Sequence, residues 1–204
     1  MIDTRSTPIT GVTLISIRRS LRPPVIIPIS GSSSELDAAR TRKFPCQNDA
    51  MEDIRIRPAG LADIDHILRQ RRAMFRDTGR GTEAELDEML VTGEAFLRAA
   101  LPSGGYRGWL AETADGRIVA GAGITIVPWP GAPGDPAGRR GWIQNVYTEP
   151  EFRRRGLARR LLETVVEWCR ADGFQTVWLH ASRYGRSLYK SMGFRPTNEM
   201  RLKF

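Results

Sequence analysis

The stretch NVYTEPEFRRRGLARRLL, residues 145–162, places five arginines among the eight residues 153–160, with Gly156 and Ala158 between them. Arginine's planar fork suits phosphate, but a run of cations alone is satisfied by any anion or by solvent. The small residues narrow the chemistry. NVYT is strand-like and EPEF is its exit, while Leu157, Leu161, Val165 and Trp168 recur at helical spacing beyond. Arg153 to Ala158 therefore fall in a strand-to-helix turn, where backbone N–H groups lack intrahelical acceptors and the helix dipole is positive. Gly156 and Ala158 leave that backbone open to close approach, as a pyrophosphate requires. A nucleic-acid surface calls for aromatic residues interleaved with the cations on one face; here the helical period sends Leu157 and Leu161 to the core.

Other chemistry is sparse. His66 and His180 are the only histidines, and Cys46 and Cys169 the only cysteines. Their spacing makes neither a zinc site nor a disulfide framework, so no metal is expected and the thiols fit a reducing cytoplasm. His180, inside the apolar run TVWLHAS, reads as a satisfied structural histidine. The net charge of +8 calls for an anionic ligand. No apolar run approaches the roughly 18 residues that cross a bilayer, and no P-loop or dinucleotide fingerprint is present. Neither a membrane nor a nucleic acid is expected as partner.

The elements that must position these groups begin near Ile54. Residues 1–50 lack a sustained period of 3.6 or 2 and read as a disordered extension. Met51, just before the first clean pattern, is an alternative start, and 51–204 reads as one domain. IRIRP is a strand closed by Pro58, and Ile64, Ile67, Leu68, Arg71 and Phe75 mark one face of a first helix. Thr82 and Glu85 have capping-box spacing before a second helix. Asp115-Gly116 is the strongest hairpin signal, between two β-rich runs. GWIQNVYT is a strand, 156–170 a helix, TVWLHAS a buried strand, RYGRSLYKSM a short helix, and the tail from Glu199 a last strand. The order β-α-α-β-β-β-α-β-α-β implies a mixed sheet with helices against it.

The pattern Arg-x-x-Gly-x-Ala after a strand and opening a helix resembles the acyl-CoA signature of the GNAT superfamily of N-acetyltransferases. LHASRYGRSLYKSMGFRPTNEMRL resembles that family's C-terminal block, in which Leu-Tyr on a short helix is followed by Gly-Phe. The resemblance runs from about Ile54 to the C-terminus. It implies an α/β fold of the α+β type: a mixed, mainly antiparallel twisted sheet flanked by helices, with splayed central strands that bind acyl-CoA. It also implies acetyl transfer from acetyl-CoA to a small-molecule or peptide amine in a ternary complex, by a monomer or homodimer. A non-catalytic acyl-CoA sensor is the alternative, against which the intact Leu-Tyr-x-x-x-Gly-Phe motif argues.

The same resemblance assigns roles. Val146 N–H would face the thioester carbonyl, and the main chain of Val146, Tyr147 and Thr148 would hold the pantetheine arm. Arg153, Arg154, Arg155, Gly156, Leu157, Ala158 and Arg159 would meet the pyrophosphate. Tyr189 would protonate the departing thiolate, since a phenol near pKa 10 matches a thiol's basicity. Where histone-type relatives carry a catalytic glutamate this chain has Trp142, so the base is left among Glu112, Asn145 and Glu149, the last reading as a solvated turn residue. The acceptor side would draw on Met74, Phe75, Asp77, Glu83, Glu85, Trp109 and the loop around Trp129, whose acidic members suit a cationic amine.

Overall fold

The computed structural model describes residues 54–203; the extension expected over 1–50, and Met51, lie outside the described residues. Five strands form one sheet in chain order: β1 (Arg55–Pro58), β2 (Tyr106–Glu112), β3 (Ile118–Pro128), β4 (Arg139–Thr148) and β5 (Val177–Leu179). The first four pair antiparallel, and β5 joins β4 in parallel. Helices α1 (Ile64–Asp77) and α2 (Glu83–Ser103) lie between β1 and β2 in the chain, α3 (Leu157–Ala171) between β4 and β5, and α4 (Arg186–Ser191) after β5. This is the mixed sheet that the pattern of elements implies, mainly antiparallel as the family resemblance implies.

Strand alternation divides the core in two. Tyr106 and Leu110 of β2 pack with Ile64, Ile67 and Leu68 of α1 and with Leu97 and Ala100 of α2. Trp109 and Ala111, one residue out of phase, belong to the cluster of Leu157, Leu161, Leu162 and Val165 from α3. A strand covered on both faces reads as a nearly continuous apolar run, as GWLA and IVAGAGI do. Burying each leucine or valine of the α3 stripe is worth about 1.5–3 kcal/mol, and that stripe fixes the arginine turn against the sheet. The capping box of α2 is formed: Glu85 N–H donates to Thr82 Oγ1 at 3.3 Å and Thr82 N–H to Glu85 Oε2 at 2.7 Å.

Two expectations fail at the C-terminal end. TVWLHAS is not a buried strand: β5 has three residues, all half-buried, and the His180 side chain is 76% exposed with Nε2 3.4 Å from Glu199 Oε2. No strand follows Glu199; residues 195–203 carry no regular structure. Pro196 has no N–H to offer a ladder, and β5 presents only a short edge. Met200 and Leu202 meet no covering surface among the described residues and stay exposed, so pairing would bury too little to offset its ordering entropy.

Candidate active site

The ladder between β3 and β4 slips in one place. Gly121 faces Tyr147 and Gly123 faces Gln144, so Asn145 and Val146 together oppose Ala122 in a β-bulge. Asn145 takes φ +55, in the left-handed region that asparagine tolerates better than most residues. The bulge reverses the alternation of the strand. Gln144 and Asn145 both line a cavity among α1, α2, β3 and β4, while Val146 packs on the α3 side. Glycine is required opposite the slip, because a Cβ on Gly123 would overlap the Tyr106 phenol and one on Gly121 the Gln70 amide. Pairing between β4 and β5 ends at Ile143 and Leu179, so Gln144–Thr148 run on without a β5 partner.

A polar chain crosses the floor of this cavity of about 430 Å³. Arg71 Nη1 donates to Asn145 Oδ1 at 2.7 Å, and Asn145 Nδ2 donates to the Tyr106 hydroxyl at 3.1 Å. The Gln144 amide donates to Thr125 Oγ1, and its Oε1 lies 3.5 Å from Arg71 Nη1. Burial pushes the Tyr106 phenol up to about 12, although the Asn145 bond and the Arg71 charge pull the other way. Burial likewise lowers the Arg71 guanidinium. The walls are apolar: Leu68, Met89, Phe96, Leu97, Val127 and Trp142. Among the described residues no aspartate or glutamate lines the cavity.

The carboxylates expected on the acceptor side are engaged elsewhere. Glu112 sits at the hairpin end of β2, bonded to Arg57 and Arg55, whose guanidiniums hold its carboxyl low. Arg57 also grips Asp63 at 2.8 Å. Glu83 joins Arg72 and Arg76, hydrogen bonds that depress its pKa to about 2. Asp77 pairs with Arg153, Glu85 caps α2, and Glu149, a buried residue and not a solvated one, pairs with Arg69. Trp109 is buried on the opposite face of the sheet, its ring centroid 5.7 Å from that of Trp168. Phe75 is half-buried near the end of α1, with Arg71 and Arg80 guanidiniums 5.1 and 5.4 Å from its ring. Trp129, 45% exposed beyond β3, lies under the Arg140 guanidinium at 3.9 Å.

The arginine turn follows β4. Arg154 and Gly156 both have positive φ, +60 and +82, and the Cβ position of Gly156 opens into free space. These torsions aim the chain into α3 while its amides stay unpaired. Among the described residues, none of the N–H groups from Arg154 to Arg159 has a protein acceptor. The side chains contribute less than their number suggests. Arg153 donates through Nε to the Thr148 carbonyl at 2.9 Å, binds Asp77, and lies over the Tyr147 ring. It braces the turn against α1, and it occupies the Thr148 carbonyl expected to face pantetheine. Arg155 lies over Phe152, and Arg159 donates to Ser191 Oγ at 2.6 Å. Leu157 and Tyr147 bury their side chains, so only their main chains are available.

Tyr189, on α4, is half-buried and packs edge-on to Phe194 with centroids 5.9 Å apart. It borders the same α3-side cluster as Val146 and lines a cavity of about 540 Å³ along β5. Gly185 makes room for it, since a Cβ there would lie 2.7 Å from the ring. Burial raises its phenol, which has no hydrogen-bond partner among the described residues. Arg71, Tyr106, Thr125 and Gln144 were not singled out as site residues by sequence reasoning. The available signal was Arg71 itself, a cation set within the apolar stripe of α1.

A bulged strand whose pairing with its parallel neighbour ends early thus leads into a helix head of donors unpaired among the described residues. Residues 70–194 match the acetyltransferase (GNAT) family, and the chain belongs to that family. Acetyl-CoA is the acyl donor such a site accepts. A GCN5-related N-acetyltransferase from Ralstonia eutropha JMP134 is 34% identical, with a TM-score of 0.70 over 74% of this chain and 98% of its own. A predicted acetyltransferase from Clostridium acetobutylicum, solved with acetyl-CoA, is 29% identical, with a TM-score of 0.67 over 74% and 96%. The ribosomal-protein-alanine N-acetyltransferase of Brucella melitensis biovar Abortus 2308, at 18% identity and a TM-score of 0.56 over 74% and 99%, shares the fold. No curated protein sequence matches the chain significantly. Among the described residues no helix is long and apolar enough to cross a membrane, and no group of three metal-ligating side chains occurs.

Proposed function

We propose that this chain transfers the acetyl group of acetyl-CoA to a primary amine of a small molecule or peptide, by direct attack within a ternary complex. The observation that carries the reading is the unpartnered run of N–H groups over Arg154–Arg159 among the described residues, in the turn that follows the bulged strand. Those amides and the α3 dipole receive the pyrophosphate. The main chain of Val146 and Tyr147 receives the pantetheine arm, with Val146 N–H as the donor to the thioester oxygen as negative charge develops on it.

The amine nitrogen bonds to the acetyl carbon, the carbon–sulfur bond breaks, and Tyr189 gives its proton to the thiolate. Burial keeps that phenol protonated at neutral pH, as a general acid requires. The proton lost by the amine goes to water, since no carboxylate among the described residues lines the cavity; solvent then reprotonates Tyr189. Titration calorimetry with acetyl-CoA, paired with thiol release over an amine panel, tests the reading. Gly156→Glu fills the open Cβ position with an anion and is expected to lower acetyl-CoA affinity by at least roughly 100-fold, the value of one or two charge-assisted hydrogen bonds. Undiminished affinity in that variant would remove the cradle, and absence of thiol release with every amine would remove the transfer.

A further inference from the structure

The acceptor cavity holds one charged group, and its sign is opposite to what an amine-binding site suggests. Arg71 is the only ionisable side chain lining the cavity among the described residues. Each neighbouring arginine of α1 has a carboxylate partner: Arg69 has Glu149, Arg72 has Glu83 and Asp87, and Arg76 has Glu83. Arg71 has none within 4 Å among the described residues. Among the described residues its only acceptors are the neutral amides of Asn145 and Gln144, both reached by Nη1. Nε and Nη2 meet no acceptor among the described residues. Burial works against its charge, and such a cation is stabilised by an anion in the same cavity.

We infer that the acceptor is a small amino carboxylate with an apolar body, held through its carboxylate by Arg71. This rests on the acetyl-transfer reading above and names its substrate class. A guanidinium with Nε and Nη2 unclaimed matches the two oxygens of a carboxylate. The walls of Leu68, Met89, Phe96, Val127 and Trp142 suit an aliphatic or aromatic body. A cationic polyamine finds no counter-charge here. The bulge joins the two halves of the site: Asn145, which accepts from Arg71, immediately precedes Val146 in the strand. An acceptor anchored at Arg71 is thereby tethered beside the residue whose N–H faces the thioester.

The test compares leucine, phenylalanine and tryptophan with their carboxamides, and with phosphoethanolamine, as acceptors for the full chain under saturating acetyl-CoA. Thiol release and the mass of the acetylated product are the readouts. At least one amino acid is expected to exceed its amide by about tenfold or more in kcat/KM, the value of a charge-assisted contact. In Arg71→Gln that preference should collapse through KM, with acetyl-CoA affinity by calorimetry unchanged. Arg71→Lys, which keeps the charge and loses the fork, should retain part of it, and thermal melts establish that both variants fold. Equal use of acids and amides by the wild type overturns the inference, as does a preference that survives in Arg71→Gln or a higher kcat/KM for phosphoethanolamine. Failure of the wild type to bind acetyl-CoA instead overturns the reading beneath it, and this inference with it.

Discussion

Replacing Asn145 by alanine tests the bulge and the polar chain together. Asn145 holds φ +55 and bridges Arg71 and the Tyr106 hydroxyl at 2.7 and 3.1 Å. The substitution removes one hydrogen bond to a charged donor and one between neutral groups, worth about 1.5–3 and 0.5–1.5 kcal/mol respectively. Alanine in the left-handed region adds about 1 kcal/mol, since it lacks the local hydrogen bonding that lets asparagine sit there. The total is roughly 3–5 kcal/mol, which at about 2–4 °C per kcal/mol lowers Tm by about 6–20 °C in a domain of this size. Asn145→Gly loses the same hydrogen bonds but relieves the torsion, and should be about 1 kcal/mol more stable than Asn145→Ala. Urea denaturation of the three proteins gives both differences. A loss under 1 kcal/mol in Asn145→Ala would refute the bridge, and glycine no better than alanine would refute the torsional part.

Tyr189→Phe is expected to lower kcat by about 100-fold or more while leaving acetyl-CoA affinity within a factor of about three, since general acids contribute on that scale; single-turnover kinetics and calorimetry decide. Wild-type kcat should show no descending limb below about pH 10, because burial moves the Tyr189 phenol above its ordinary value. Alkaline stability follows from Tyr106, raised to about 12 by burial. The folded state keeps that proton after the unfolded chain has lost it, so the stabilisation is complete below pH 10 and falls by up to roughly 3 kcal/mol between 10 and 12. Burial of Cys169, raised to about 11, adds a decline of the same sign beginning near pH 9. Denaturation curves across this range should flatten in Tyr106→Phe; an unchanged slope would contradict the burial argument.

Much of the fold was legible because its signals are local. The Thr82–Glu85 box, the Asp115-Gly116 turn and the α3 stripe each draw on residues within a few positions of one another, and each forms where expected. The tail failed because strand formation depends on a neighbour: Met200 and Leu202 alternate correctly but have nothing to cover them among the described residues. The candidate site divides in the same way. Gly156 and Ala158 declare a helix head in sequence, whereas the acceptor cavity comes from contacts across more than 70 residues, such as Arg71 to Asn145. Side-chain charge misled in both directions. The acidic residues near α1 and α2 are neutralised by arginines that sequence cannot pair with them, and Arg71, which looks like part of the core face, carries the cavity's charge.

The slip at Ala122 has a consequence for how this strand tolerates change in length. Counting inward from either end of β4, parity breaks between Gln144 and Val146, so the neighbours Gln144 and Asn145 serve the same side of the sheet and Val146 the other. Deleting one residue of 144–146 would leave a single residue opposite Ala122 and restore regular alternation, with both halves of the strand keeping their faces. The cavity would be left with one amide in place of two, and deletion of residue 146 would also cost the α3 side Val146. The ten residues of β4 are therefore what lets both amides face the cavity while Val146 packs on the α3 side.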